Sequence, residues 1–560
     1  MANPPDRTRR FGLRRCANLR GVPVTRSWGA HIDVTTPPAQ AAGERFERAL
    51  ALLAAALVVA ALALYLANGF RDRLSSDAAV SLLLARHMLE THTLVPGDWY
   101  YGNGDLWILG PQIVALPFVA LWGATPFALA CGNALGLVVI FACAFVLARA
   151  AGGRWPVAVI AGCVTIALYS HFQREFVVEQ LSYGWMSAKL MLLVAAAVFR
   201  LRNPERARLD AVAMSYVVLL CVWTAENPVR PLLYFVLPFG AVLLLHRARG
   251  SRALAVSTVI GLAAGWLLRR LLLARVEMVP GLESFHFVSP GAWMHHLGLL
   301  IAGLRQLYGA EALGAAGIPL IEGPSALLRA LCLPAIAVAV VLRRIASTPI
   351  DRRPLETGAL DLVLIAFVLI AGSTLVDPLS ARYLIPAWHL ALVGFVIAVQ
   401  ALPRRNWIVA LLVIAFPLGG LFNAIDIARA HSSVDAAGFP HPPPLDGLIE
   451  ALRASGLKRG FATHRHANAA TVRSAGEVVI CDARFGPTPQ PLRWLNERAC
   501  FAPATYDEGF FFVLGPGEID AAREASMRAT LGEPANVISV DGYAIWTYPK
   551  GTGRRDWLSR

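Results

Sequence analysis

The sequence predicts a polytopic α-helical membrane protein of about eleven transmembrane helices plus interfacial helices, with a small C-terminal α/β extracytoplasmic domain. Three observations carry this. Only 16% of the 560 residues are charged and 56% are hydrophobic, whereas an ordinary soluble domain has roughly 25% charged residues. The charge deficit falls in the first three quarters, where apolar runs long enough to cross a bilayer recur. From Asp446 onward the pattern changes to short β-type runs such as FFFVL (510–514) and YAIWTY (543–548), set between helical stretches.

The net charge of +14 does not form one patch. It lies in short clusters between apolar runs: Arg149 and Arg154; Arg200, Arg202, Arg206 and Arg208; Arg247, Arg249 and Arg252; Arg343, Arg344, Arg352 and Arg353; Arg404 and Arg405. Basic residues are distributed this way in the cytoplasmic turns of membrane proteins. A nucleic-acid binder gathers them on one face. The pattern speaks against nucleic acid as a partner and puts all five turns in the cytoplasm.

Residues 1–48 hold nine arginines against four acidic residues. They read as a disordered basic cytoplasmic tail, too long for the basic region of a signal peptide. Leu50–Leu66 forms the first span. Keeping every basic turn inside requires an even number of crossings between any two of them. The run Leu106–Trp122 therefore reads as an interfacial helix, being short, broken by Pro111 and Pro117 and opened by Gly104-Asp105. Spans are expected at 127–148, 156–172, 185–200, 211–226, 232–246, 253–271, 324–342, 357–376, 384–401 and 407–426. The transmembrane domain covers 49–430, with a first outer loop at 70–126 and a long outer segment at 276–323 that holds an interfacial helix, Ala292–Leu307.

An odd number of spans from a cytoplasmic N-terminus leaves the C-terminus outside. Residues 431–445 are a Pro-rich linker, and 446–560 a soluble α/β domain. Helices are expected there at 446–456 and 517–530, and strands at 459–463, 477–481, 510–514 and 543–548. His464 and His466 alternate as on a strand face, and Arg465–Arg473 reads as surface. Cys131, Cys143, Cys163, Cys221 and Cys332 are small core residues in apolar runs. No Cys/His spacing matches a zinc site. Cys481 and Cys500 can pair if their domain is extracytoplasmic.

This topology collects charged residues on the outer face. They are Asp77, Asp98 and Asp105 in the first loop, His171, Arg174, Glu175 and Glu179 in the second, and Glu226 with Arg230, a pair four residues apart. Arg269 and Arg270 end a span, and Asp377 and Arg382 lie in a later loop. A single such charge need only snorkel. As a set they matter more, because edge ionisable groups need a partner or a use, and Arg269, Arg270 and Arg382 oppose the positive-inside trend. A carboxylate beside arginines at a membrane boundary suits a lipid-linked phosphate. The guanidinium fork binds phosphate oxygens. The carboxylate takes a proton from an attacking hydroxyl or amine, and the screened phosphate leaves as an anion. Asp77 also competes with Ser75 and Ser76 to cap the helix that follows. Trp99, Tyr100 and Tyr101 read as an interfacial aromatic belt whose rings would equally stack on a sugar.

Three segments carry a family resemblance: SDAAVSLLLARHMLE (76–90), VLARAAGGRWPVAVIAG (146–162) and ARYLIP (381–386). With the layout of 45–426, they resemble the GT-C class of integral-membrane glycosyltransferases, in particular the protein O-mannosyltransferase and aminoarabinose transferase group. The resemblance implies an enzyme with a polyprenyl-phosphate-linked sugar donor and a lipid, glycan or protein acceptor, while the extracytoplasmic α/β tail and the Arg-heavy, Ala-rich chain fit a bacterial inner membrane. It would transfer a hexosyl or pentosyl group with inversion. Asp77 takes the catalytic acidic position and Arg382 falls near the donor phosphate. Arg269, Arg270, Asp105, Glu226 and Tyr101 are further donor- or substrate-binding candidates. Members of the group often carry two adjacent acidic residues, but Ala78 follows Asp77 here. No metal-ligand set is assigned, and a divalent metal stays open. The alternative is a polytopic transporter or lipid flippase with an accessory periplasmic domain. That class shows internal repeats and broken helices near the bilayer midplane; here no repeat stands out, and the charges lie at one edge rather than mid-span. A non-enzymatic scaffold leaves the outer arginines unexplained.

Overall fold

A computed structural model describes residues 38–70, 73–203, 211–246, 251–279, 285–310, 322–341, 350–402, 405–429, 445–486, 488–518, 520–551 and 556–559. The expected tail up to residue 37 and most of the expected linker, 430–444, lie outside the described residues. Helix α1, Pro38–Asn68, begins well before the apolar run. Its first turns, QAAGERFERAL, are rich in Ala, Glu and Arg, which favour helix and carry it on into the span.

The helices that follow are α2 (Ser76–Thr91), α3 (Gln112–Trp122), α4 (Pro126–Ala150), α5 (Trp155–Ile166), α6 (Ser182–Arg202) and α7 (Ala211–Glu226). Then come α8 (Val229–His246), α9 (Ser251–Leu273), α10 (Trp293–Leu307), α11 (Glu322–Val341), α12 (Arg353–Ala371), α13 (Pro378–Val399) and α14 (Arg405–Arg429). Nine of the described helices are long and apolar enough to cross a membrane: α1, α4, α6, α8, α9, α11, α12, α13 and α14. The other two expected spans are helical but shorter, at 12 residues in α5 and 16 in α7. The run read as interfacial is α3, an 11-residue helix with Pro117 inside it. α13 is the most enclosed span. It packs on α12 so closely that a Cβ on Gly358 would lie 2.4 Å from the Ala391 backbone nitrogen, an approach that small residues permit between membrane helices.

Described residues from four of the basic turns meet at one end of the bundle. Glu47 pairs with Arg154 and, at 2.7 Å, with Arg405. Arg202 Nη1 donates to the Ala150 carbonyl at 3.1 Å, and the Asp351 amide to that of Ala151 at 2.9 Å. Asp77, Asp105, Glu226, Arg230, Arg269 and Arg382 lie at the opposite ends of these helices or in the loops there.

The C-terminal α/β region sits at that opposite end. Its helices are α15 (Leu445–Ala454), α16 (Ala467–Arg473) and α17 (Ala521–Leu531). Two short strands, β1 (Tyr100–Tyr101) and β2 (Glu277–Met278), pair in parallel between the loops. The main sheet has six strands: β3 (Arg459–Ala462), β4 (Val479–Phe485), β5 (Pro489–Pro491), β6 (Gly509–Leu514), β7 (Asn536–Val540) and β8 (Tyr543–Pro549). Their order is β5-β4-β3-β6-β8-β7, with β3 parallel to both β4 and β6. The chain leaves β3 towards β4 on one side and returns to β6 on the other. The carboxyl ends of β3 and β6 thus form a topological switch point, where α/β sheets present their functional groups.

Those ends face the first loop, and the two regions interlock. The Tyr100 amide donates to the Asn496 carbonyl at 2.8 Å and the Leu495 amide to that of Tyr100 at 3.0 Å, while Trp99 bridges Glu497. The Ala469 amide donates to Ser76 Oγ at 3.2 Å, so α16 lies on α2. Two expectations are corrected here. Trp99, Tyr100 and Tyr101 are buried in this joint and do not form a belt at a membrane surface. The segment read as exposed, Arg465–Arg473, holds the buried helix α16, and Arg473 pairs with Asp446 at 2.8 Å. Both follow from one cause: the joint covers surfaces that either region alone would expose. Cys481 in β4 is disulfide-bonded to Cys500, which fastens the Leu495–Arg498 segment to the sheet.

Candidate functional site

Ser75 caps α2, its hydroxyl accepting from the Ala78 amide at 3.2 Å. Asp77, in the first turn, is therefore not consumed as the cap. Its Oδ1 lies 3.0 Å from His464 Nε2. His464 occupies the turn between β3 and α16, so it is not on a strand. Its Nδ1 lies 2.7 Å from Asp482 Oδ2 in β4, and the same oxygen accepts from Asn496 Nδ2 at 2.9 Å. The imidazole thus joins two carboxylates, one from the first loop and one from the sheet. Trp494 packs edge-on against it, with ring centroids 4.7 Å apart. Gly102 makes room for that indole, since a Cβ there would fall 2.0 Å from Trp494 Nε1.

The electrostatics follow from this arrangement. Asp482 is fully buried, and its Oδ1 has no hydrogen-bond partner among the described residues. Burial pushes its carboxyl up, so the proton between it and His464 is held from both sides. Burial alone would lower the His464 imidazole. The charge and hydrogen bond of Asp482, then those of Asp77, instead raise it to about 10. Burial alone would raise the Asp77 carboxyl. The hydrogen bond and charge of His464, with the charge of Arg382, hold it below its ordinary value. About half of the Asp77 side chain, 49%, stays accessible, and its Oδ2 accepts no hydrogen bond among the described residues.

Arg382 enters from a 3₁₀ turn, Pro378–Leu384, that opens α13 and is capped by Asp377. Its Nε donates to Tyr183 Oη at 3.2 Å, and its guanidinium lies over the rings of Phe176 and Tyr383, each 5.5 Å from the centroid. Tyr183 and Tyr383 stack edge-on, 5.7 Å apart, and Tyr183 feels the charges of both Arg382 and Arg230. These two tyrosines link the Asp77 cluster to a second one.

In that second cluster Asp105 is buried and spends both oxygens, Oδ1 on Asn227 Nδ2 at 2.9 Å and Oδ2 on Arg230. Glu226 accepts from the Leu109 amide and pairs with Lys189. Glu226 and Arg230 do not pair with each other as their spacing suggests, because the interposed Asn227-Pro228 turn sends them to different partners. Arg269 donates to the carbonyls of Ala225, Glu226 and Gly104 at 3.1, 2.6 and 3.1 Å. It closes the carboxyl end of α7, where a cation offsets the helix dipole, and three of its five donors are used there. Arg270 is exposed and stacks on Trp266 of its own helix at 4.9 Å. Tyr101 is buried with its hydroxyl unpartnered among the described residues. Of the residues singled out from sequence, Asp77 and Arg382 lie near enough for the charge of each to act on the other. Asp105 and Glu226 share the second cluster, and Arg269, Arg270 and Tyr101 stand apart from Asp77.

His87, Glu90 and Glu497 bring metal-type ligand atoms within 4.8 Å of one another. Arg86 already lies on both acids, 3.0 Å from Glu497 and 3.4 Å from Glu90, so a guanidinium supplies the positive charge there.

His464, Asp482, Lys189, Tyr183 and Tyr383 were not found from sequence as site residues. The alternation of His464 and His466 was the one local signal, and it pointed to a strand.

No protein-family model matches the chain, and no curated protein matches it. Among solved structures, two of ArnT from Cupriavidus metallidurans are similar. The one bound to undecaprenyl phosphate has a TM-score of 0.53 and 12% identity, over 88% of this chain and 97% of that one. The apo form has a TM-score of 0.54 and 11% identity, over 89% and 97%. The likeness covers most of this chain, and the fold is ArnT-like.

Proposed function

We propose that this protein is a membrane glycosyltransferase that moves a sugar from a polyprenyl-phosphate carrier to an acceptor, with Asp77 as the base. The observation that carries this is the Asp77 carboxylate: half accessible, with one oxygen on His464, the other accepting no hydrogen bond among the described residues, and the Arg382 charge within reach. The ArnT-like fold and the undecaprenyl phosphate bound by that neighbour support a polyprenyl phosphate as the carrier. The acceptor's X–H proton passes to Asp77 as X attacks the anomeric carbon. The bond from that carbon to the phosphate oxygen breaks, and the electron pair leaves with the phosphate. Arg382 screens the departing anion. The chain sits in a bacterial inner membrane with the basic turns in the cytoplasm and the C-terminal region in the periplasm. The positive-inside rule and the Cys481–Cys500 disulfide, a bond of oxidising compartments, support that orientation.

The test is Asp77→Asn in the full chain, assayed for transfer of labelled mannose or arabinose from undecaprenyl phosphate. Loss of transfer by about 10²- to 10⁴-fold, the usual contribution of a general base, is expected. Unchanged transfer would remove Asp77 from the role.

A further inference from the structure

We propose that the C-terminal α/β region completes the catalytic site: His464, buttressed by Asp482, is a positioning residue that fixes Asp77 as an anion, occupying Oδ1 and leaving Oδ2 for the acceptor's proton. This rests on the reading of Asp77 as the base, but the geometry behind it is independent of any substrate.

Three observations converge. First, the imidazole is hydrogen-bonded at both nitrogens to carboxylates, 3.0 Å from Asp77 and 2.7 Å from Asp482. With both carboxylates ionised, a neutral ring, carrying one proton, would leave one of those contacts as two facing acceptors, whereas a doubly protonated ring satisfies both. Second, Asp482 is wholly buried with one oxygen lacking a hydrogen bond among the described residues. An ionised carboxylate buried there needs a cation beside it, and His464 is the ionisable base within hydrogen-bond reach of it among the described residues. Third, the ring is held from the side by Trp494, so its direction is fixed by packing as well as by charge.

The arrangement differs from a relay that stores protons. A ring already charged at rest cannot take another, so the acceptor's proton stops on Asp77 Oδ2 and leaves from there to water. The cationic ring makes Asp77 a weaker base but keeps it ionised at lower pH than it would be without the ring. Weak basicity is affordable where the leaving group is a phosphate screened by Arg382. The charged groups that set this balance are His464, from the turn after β3, and Arg382, from α13, both facing Asp77. Asp77 from α2 and Asp482 from β4 face His464.

The sign of the pH effect follows. Asp77 is held below its ordinary value, so its ionised fraction is full at neutral pH and is lost only as pH falls through that lowered value. Without the cation the carboxyl rises from that lowered value, so the acidic limb of the rate profile moves to higher pH. His464→Gln keeps a hydrogen-bond donor and removes the charge. Its transfer from undecaprenyl-phosphate-linked mannose or arabinose should fall roughly tenfold at mildly acidic pH for each unit by which the carboxyl rises, and recover towards pH 8. A purely structural role would lower transfer equally at every pH, and that result would overturn the proposal.

A second measurement stands whether or not the sugar is right. The full chain, labelled with ¹³C and ¹⁵N histidine, is placed in phosphatidylethanolamine/phosphatidylglycerol nanodiscs, and the His464 ring is identified by its absence in His464→Gln. In the wild type the ring should stay doubly protonated through pH 8. In Asp482→Asn it should lose its second proton at a clearly lower pH than in the wild type, since the largest raising influence is gone. A wild-type ring that titrates near 6.5, its ordinary value, would overturn the proposal. If the ring behaves as expected but no transfer from undecaprenyl phosphate occurs, the cationic clamp stands and the reading of Asp77 as a glycosyl-transfer base falls.

Discussion

Two acidic clusters lie at the same end of this molecule, and they are built to opposite rules. Around Asp105 and Glu226 the described side-chain oxygens are spent: Asn227, Arg230, Lys189 and the Leu109 amide take all four. Around Asp77 one oxygen is engaged and the other is not, and half of the side chain is reachable. A saturated cluster can only hold elements together; here it joins the first loop to α6, α7 and α8. An unsaturated carboxylate kept ionised by neighbouring cations has capacity left for a reactant. The contrast separates architecture from chemistry without appeal to any relative.

The largest effect that tests this contrast comes from a pair of substitutions. Glu226→Ala strands Lys189 in a buried position, and breaking a buried ion pair costs about 3–5 kcal/mol. The thermal midpoint of the purified protein should fall steeply, with activity lost only as a consequence. Asp77→Asn should do the reverse. A half-exposed pair contributes at most about 1 kcal/mol, so the midpoint should barely move while transfer disappears. If both variants lose stability alike, the distinction between the clusters is wrong.

The disulfide comes next. Cys481 and Cys500 are 19 residues apart, and closing a loop of that size stabilises by about 3 kcal/mol in the chain-entropy treatment. Cys481→Ser with Cys500→Ser should lower the midpoint. It should also loosen Leu495–Arg498, the segment that holds Trp99 and Tyr100, so protease sensitivity should rise there before it rises in the helical bundle. Uniform sensitivity would show that the bridge does not serve the joint.

Gly102 tests the joint from its other side. A Cβ there must displace Trp494, and overpacking of this kind costs about 1–3 kcal/mol. Gly102→Ala should reduce transfer more than its stability loss explains, because the indole that holds His464 moves. A variant whose activity simply tracks its stability would detach Trp494 from the site.

What the sequence made legible divides along the same line. The helices were readable because each span carries its own apolar run, and the parallel strands because FFFVL and its neighbours are locally β-like. Asp77 was readable because it opens a helix whose pattern resembles a known family. His464 was not, because its meaning comes from a contact 387 residues away; in THRHAN nothing local separates a clamp from a surface turn. Trp99, Tyr100 and Tyr101 misled for a related reason: aromatic residues suit a lipid boundary and a protein joint equally. Arg269 opposed the positive-inside trend for a reason invisible in the pattern, since it closes the end of α7. Short-range signals gave the elements, and the site depends on which elements meet.

The smallest effect concerns the reason Asp77 is available at all. Ser75, Ser76 and Asp77 are each competent caps, and the division of labour among them decides whether a carboxylate is left over. Ser75 takes the cap and Ser76 takes the Ala469 amide, so Asp77 alone remains for His464. Replacing an N-cap serine with alanine costs about 1 kcal/mol, a midpoint shift near the limit of detection in a chain this size. The informative readout is therefore chemical. With Ser75→Ala the Ala78 amide loses its acceptor, and the nearest carboxylate able to turn towards the freed helix end is Asp77, which would then leave His464. Ser75→Asp supplies an equivalent acceptor and should restore the wild-type state. Transfer that drops in Ser75→Ala and returns in Ser75→Asp, with both variants equally stable, would show that the cap protects the base. Equal transfer in all three would mean that the His464 contact outweighs the pull of the helix end and holds Asp77 in place unaided.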